Sequence, residues 1–233
     1  MTEDQNEIHN RIQEFYSYDK ETWSAVENIA PGIFVYRDVV PSNSINRLEE
    51  VLQDSSNNYN YQDAYVGYGM KIPEYRDCVD FKYKKSDIFY DTTDAGVKLK
   101  SLWQDLYDVK LPAVKHYCKN FNIGEIRYWE AMNFVRYGPG QHFQYHTDHG
   151  YSYNCVVSLV GYPNDDYEGG ELEFRLQNLK IKPRAGDLYV FPSNFMYPHR
   201  AAPVHNGTKY SIVTMLDYSD KFHNQKFYEE TGS

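Results

Sequence analysis

The feature that most constrains this chain is a change of hydrophobic period at Gly124. Before it, apolar residues recur at helical spacing. After it, they alternate with a period of two, as in strands that bury one face. The segments 126–137, 153–160, 171–176, 179–182, 187–191, 200–204 and 209–218 read as strands. Turn-forming clusters separate them: Gly138-Pro139-Gly140, Pro163-Asn164-Asp165-Asp166, Gly169-Gly170, Ala185-Gly186-Asp187 and Asn206-Gly207. Short strands punctuated in this way predict a barrel or a jelly-roll sandwich.

The first half supplies helices. Residues 1–29 form a polar flank with a weak helical pattern at Ile8, Ile12 and Phe15. Pro31-Gly32 opens an apolar strand at 33–36, and Ser42 or Ser44 can cap a helix carrying Ile45, Leu48, Val51 and Leu52. Residues 63–90 read as short strands and turns, for example 78–83; the longer stretch 55–90 is Tyr-rich and is the candidate lid. From Asp94 a long amphipathic pattern runs through Leu99, Leu102, Leu106, Val114, Tyr117 and Phe121. Pro112 should kink or restart that helix, and Gly124 should end it. The expected fold class is α+β: a barrel or jelly-roll core at about 125–218, with supporting helices on one sheet face. Residues 30–218 form the single domain and 219–233 a polar tail.

Composition removes several function classes. The net charge is −9, a poor match for general binding to nucleic acid or anionic membrane. No run approaches the ~20 apolar residues of a membrane-spanning helix. Cys78, Cys118 and Cys155 form no CxxC pair and no disulfide framework. The opening MTEDQNEIHN lacks a signal pattern, so a cytoplasmic location with reduced thiols is expected. Tyrosine is abundant, 24 of 233 residues, which suggests half-buried rings with wet tips.

Chemistry concentrates between 137 and 211. His146-Thr147-Asp148 places an imidazole and a carboxylate two residues apart, on the same side of an extended segment. His199 follows fifty-one residues later, across several strands. Two His and one carboxylate on one face of a metal form the facial triad of non-haem Fe(II) oxygenases, and the opposite face stays open. Lys209 begins an otherwise apolar strand. It needs an anionic partner if it points inward, or it snorkels to the sheet edge.

In combination these elements resemble the 2-oxoglutarate and Fe(II)-dependent dioxygenases, and within them the prolyl 4-hydroxylase-like branch. The motifs stand in that family's order: Tyr137-Gly138-Pro139-Gly140, His146-Thr147-Asp148, Tyr167-Glu168-Gly169-Gly170-Glu171-Leu172, Pro183-Arg184-Ala185-Gly186-Asp187-Leu188, Phe191-Pro192-Ser193, His199, and Gly207-Thr208-Lys209-Tyr210-Ser211. Ala30-Pro31-Gly32-Ile33-Phe34-Val35 is similar to the family's first strand. The resemblance implies a double-stranded β-helix (jelly-roll) core, in which His146, Asp148 and His199 ligate Fe(II) as the catalytic centre. It implies that Lys209 pairs with the distal carboxylate of 2-oxoglutarate, with Tyr137 and Ser211 as further cosubstrate contacts.

The implied reaction hydroxylates a C–H bond while 2-oxoglutarate and O2 become succinate and CO2, with ascorbate as a reductant. The implied substrate is a prolyl residue in a peptide or protein; a small molecule such as a free amino acid is the alternative. A non-catalytic jelly-roll binding module is the reading from another class, and the intact triad with Lys209 argues against it. Three positions depart from the branch. Met215 stands where Trp is common, Asp217 where a peptide-holding His is common, and Leu172 where some members have Thr. Phe143, Val157, Leu159, Leu172, Phe174, Val190, Ile212 and Met215 are expected to wall the site. His142 and His149 are expected beside the ligands rather than among them, and Arg200 on the opposite strand face.

Overall fold

The computed structural model describes residues 26–66, 69–150 and 153–223. Most of the expected N-terminal helical flank, and residues 224–233 of the tail, lie outside the described residues. The described part of the flank is a strand rather than a helix: β1 (Val26–Ala30) pairs antiparallel with β2 (Ile33–Tyr36). Then follow α1 (Ser44–Leu52), β3 (Gln62–Asp63), β4 (Arg76–Asp77), β5 (Val79–Lys84), α2 (Lys85–Phe89) and α3 (Asp94–Phe121). The second half runs β6 (Tyr128–Trp129), β7 (Ala131–Tyr137), β8 (His142–His146), β9 (Val157–Gly161), β10 (Glu168–Gly169), β11 (Leu172–Phe174) and β12 (Leu179–Ile181). It continues with β13 (Leu188–Pro192), β14 (His199–Ala201), β15 (Val204–Asn206) and β16 (Lys209–Asp217), and a 3-10 turn (Lys221–His223) closes it.

The strands build a jelly roll. Among the described residues, a nine-stranded sheet runs β1-β2-β13-β9-β16-β7-β5-β3, with β6 on the far end of β16. A five-stranded sheet runs β12-β11-β14-β8-β4, and β10 pairs with β15. The large sheet is wider than the alternating pattern predicts, because β1, β2, β3 and β5 join it from the first half of the chain.

One face of the large sheet carries the helices. Leu48 and Val51 of α1, with Leu99, Leu102, Leu106, Val114 and Tyr117 of α3, pack on Phe34, Phe81, Phe134, Leu159 and Ile212. The other face meets the small sheet through Ile33, Val35, Val160 and Phe191 against Leu172 and Phe174. Strands β9 and β13 are therefore covered on both faces, and all five residues of β9 are buried.

Local details revise two expectations. The N-cap of α1 is Asn43, with no side-chain cap bond; Ser44 instead donates to the Pro41 carbonyl at 2.7 Å. Helix α3 is one element of 28 residues that runs through Pro112 and ends at Asn122, in the left-handed region at φ 49°, two residues before Gly124. Buried residues on both sides of Pro112, from Leu99 to Cys118, clamp the helix to the sheet and offset the backbone bond the proline removes. No helix among the described residues is long and apolar enough to cross a membrane. Cys78, Cys118 and Cys155 are free and buried.

Candidate metal centre and cosubstrate cavity

The small sheet and the turn after β8 bring the candidate ligands together. His146 ends β8 and sits opposite His199 of β14 in the antiparallel register. Asp148 follows two residues past the strand. Donor atoms of His146, Asp148 and His199 all lie within 4.8 Å of one another. His146 Nε2 is 3.6 Å from Asp148 Oδ1, and His199 Nε2 is 3.7 Å from Asp148 Oδ2.

The surroundings prepare both rings in the same way. His146 Nδ1 bonds the Gln144 carbonyl at 2.8 Å, and His199 Nδ1 bonds the Tyr197 carbonyl at 3.1 Å. A carbonyl only accepts, so each Nδ1 carries the proton and each Nε2 keeps a lone pair. Phe143 stacks on His146 at 3.6 Å between centroids, and Phe191 meets His199 edge-on at 4.8 Å.

Burial pulls the His199 pKa down to about 4, so its ring is neutral at pH 7. Burial pushes the Asp148 carboxyl up, but His199, His146 and the Ser158 hydroxyl more than reverse this and hold it well below the ordinary carboxylate range. Ser158 donates to Asp148 Oδ2 and is itself 2.7 Å from Ser193 Oγ. A neutral imidazole at His199 and an ionised carboxylate at Asp148 are protonation states that suit a divalent metal.

The three residues share a cavity of about 320 Å3 with Lys209, Tyr137, Ser211 and Met215. In the register of β16 and β7, Lys209 lies directly beside Tyr137, and Ser211 beside Val135. Lys209 is 1% exposed, and its ammonium donates to the Gly170 carbonyl at 2.6 Å. The rings of Tyr137 and Tyr162 stand 5.2 and 5.3 Å from it. Burial, aided by Lys182, pulls the Lys209 pKa down to about 7. A carboxylate arriving here would restore the charged form and gain a charge-assisted bond. Gly170 makes the approach possible: its φ is +64°, and a Cβ there would lie 3.0 Å from Lys209 Cδ.

The expected apolar wall is corrected in part. Phe143, Leu172 and Met215 line the cavity, together with Val135, Val160, Ala201 and Val213. Val157, Leu159, Val190 and Ile212 face the helices instead, and Phe174 belongs to the packing between the sheets. On strands buried on both faces, hydrophobicity does not report which face a residue takes. His142 and His149 stay outside the cluster: His142 contacts the Gly140 and Glu74 carbonyls, and His149 the Cys155 carbonyl. Arg200 is on the outer face, where it donates to Glu173 Oε2 at 2.7 Å. Asp217 does not line the cavity; its carboxylate is 3.1 Å from His223 Nε2.

The sequence reading missed the polar rim. Tyr65, Arg76, Asp80, Lys82 and Asn133 line the same cavity, as does Tyr162 beside Lys209. Arg76 donates to Asp80 Oδ2 at 3.0 Å and to the Tyr65 carbonyl at 2.8 Å, and Lys82 pairs with Glu130 at 2.6 Å. The available signal was the alternation of Asp80, Lys82 and Lys84 with Val79, Phe81 and Tyr83 on a strand with an apolar reverse face.

Residues 132–216 match the sequence profile of the 2OG-Fe(II) oxygenase superfamily. Over that segment, a little more than a third of its length, the chain is similar to that superfamily. The matched segment begins in β7 and ends in β16, so it contains His146, Asp148, His199 and Lys209. Human procollagen-lysine,2-oxoglutarate 5-dioxygenase 2 is 31% identical over 91 residues, 37% of this chain and 12% of that protein. A putative prolyl 4-hydroxylase of Acanthamoeba polyphaga mimivirus is 29% identical over 119 residues, 42% of this chain and 49% of that protein. The chain thus spans only a fraction of these curated relatives. A prolyl hydroxylase of Trichoplax adhaerens, solved with a hypoxia inducible factor oxygen degradation domain peptide fragment, superposes with a TM-score of 0.59. That superposition covers 93% of each chain at 16% identity, so the likeness of fold extends beyond the matched segment to most of this protein.

Proposed function

We propose that this protein is a 2-oxoglutarate- and Fe(II)-dependent oxygenase that hydroxylates a C–H bond of a prolyl residue in a peptide or protein. One observation carries the reading. Two imidazoles with fixed Nδ1 protons and one ionised carboxylate converge on a cavity whose buried end holds a lone ammonium. That donor set suits Fe(II), with His146, Asp148 and His199 as ligands, and Lys209 suits a dicarboxylate. The bound metal with 2-oxoglutarate supplies the oxygen activation, with succinate and CO2 as co-products.

The protein's own residues do the positioning. Lys209 anchors the distal carboxylate, while Tyr137 and Ser211 line its path from opposite strands. Ser158, backed by Ser193, holds the Asp148 carboxylate in place, and Phe143 and Phe191 restrict the two rings. Val135, Val213 and Met215 give the substrate an apolar floor and keep water off the reacting carbon. Residues 30–218 act as one catalytic domain in this reading. Ascorbate would serve as reductant, and the three free buried thiols suit a reducing, cytoplasmic setting.

The test is direct. Purified protein with Fe(II), ascorbate, 2-oxoglutarate and a proline-containing peptide library should release succinate and add about 16 Da to the peptide, localised to proline. No Fe(II) binding and no succinate release with any substrate would overturn the oxygenase reading; oxygen found on another residue would overturn the prolyl part alone.

A further inference from the structure

We propose that Asn133, oriented by the Arg76–Asp80 pair, is the acceptor that holds a neutral amide N–H of the substrate. On this account the site takes an uncharged residue within a peptide, and rejects both a lysine side chain and a free amino acid. The inference rests on the oxygenase reading above and adds the specificity of the same cavity.

Asn133 lines the same cavity as His146, Asp148 and His199. In the register of the large sheet it lies between Lys82 of β5 and Val213 of β16. Val213, Val135 and Met215 make the surrounding surface apolar. The Asn133 Oδ1 atom is buried and has no hydrogen-bond partner among the described residues. A buried acceptor left unpaired is costly, so an occupant that donates to it gains more than an ordinary hydrogen bond returns.

The orientation of the amide follows from its neighbour. Asn133 Nδ2 points to Asp80 Oδ2 at 3.5 Å, the long limit of a hydrogen bond. A flipped amide would set two acceptors face to face, so the carboxylate keeps the NH2 group on its own side and Oδ1 away from it. Arg76 holds Asp80 in turn, through the 3.0 Å bond, and rests on the Phe143 ring at 4.7 Å. Arg76 and Asp80 are therefore positioning residues.

Charge accounting selects the kind of donor. The two cations of the rim are each matched, Arg76 by Asp80 and Lys82 by Glu130. An ammonium entering between them meets no unmatched carboxylate, and it pays its own desolvation. A free amino acid would have to break the Arg76–Asp80 pair to place both of its charges. A peptide N–H meets neither cost.

The experiment compares capped pentapeptide libraries with a fixed central proline or a fixed central lysine, and free L-proline and L-lysine. All are tested on the Fe(II)-loaded protein with 2-oxoglutarate. The wild type should oxidise the central-proline library at least tenfold faster than any other probe. Asn133→Leu should raise the KM for the selected peptide about tenfold, with the KM for 2-oxoglutarate unchanged and no fall in melting temperature. Asn133→Asp adds an unmatched carboxylate and should shift the preference toward the central-lysine library.

A wild type that makes succinate but prefers lysine or a free amino acid would overturn the inference and leave the oxygenase standing. So would an Asn133→Leu protein with unaltered peptide KM. A wild type that makes no succinate with any probe overturns the oxygenase reading, and the inference falls with it.

Discussion

The two faces of the large sheet each bury one lysine completely, and the pair shows what burial alone does not decide. Lys209 lies on the cavity face of β16, against the Gly170 carbonyl and two tyrosine rings. Lys110 of α3 reaches the opposite face of the same strand, where Thr214 Oγ1 at 3.3 Å and Met132 Sδ at 3.5 Å are its contacts. Burial pulls both pKa values down to about 7. One ammonium faces space that a dicarboxylate can fill; the other is enclosed by helix and sheet. The first stands in the cavity of the candidate metal ligands. The second is a stability cost without a ligand to relieve it.

Four experiments would sharpen or break that contrast. The largest effect belongs to the cavity face itself: His146→Ala should lose Fe(II) binding and lower succinate formation by about a thousandfold or more, since one of three protein ligands is gone. Retained turnover would remove the metal assignment. Next, Lys209→Met should weaken 2-oxoglutarate about 10–100-fold, the worth of a charge-assisted bond of about 1.5–3 kcal/mol. Equilibrium titration checks it, and an unchanged affinity would make Lys209 structural, like Lys110.

At the rim, Asp80→Asn frees the Asn133 amide to turn. It should raise substrate KM about fivefold, of the order of one neutral hydrogen bond of ~1 kcal/mol, and spare the KM for 2-oxoglutarate. Steady-state kinetics on both substrates separates the two.

The smallest effect on activity belongs to the helix face. Lys110→Met should leave turnover unchanged and raise the melting temperature, by about 2–4 °C for each kcal/mol recovered. The sign with pH follows from linkage. Between about pH 7 and 10.5 the unfolded chain binds more protons at this lysine than the folded one, so stability rises with pH across that window. Below about pH 7 the penalty is fully present. Thermal melts from pH 7 to 10 should show a shallower rise in Lys110→Met; an identical slope in both proteins would mean Lys110 is not held in a dry environment.

The same two faces explain what could be read from the sequence. On β16 alternation puts Lys209 and Ser211 on one face; the structure turns that face inward, where the sequence left snorkelling open for Lys209. On β9 alternation failed. Every residue there is buried, so Val157 and Leu159 read as cavity wall although they face the helices. The rim escaped notice for a different reason. Asp80 and Lys82 alternate cleanly with Phe81 and Tyr83, yet their partner strand β7 lies some fifty residues further along. Nothing local connects Asp80 to Asn133.

His146 and Asp148 were legible because a period of two is local geometry. Lys209 stood out because a charge in an apolar strand conflicts with its surroundings wherever the strand lies. Those chemical identities, and the jelly-roll class, were determined by sequence. Pairing across the sheets was decided by tertiary structure: His199 opposite His146, Lys209 beside Tyr137, Asn133 between Lys82 and Val213. Register between distant strands depends on closing long loops and packing both sheet faces at once, and no single segment carries that information.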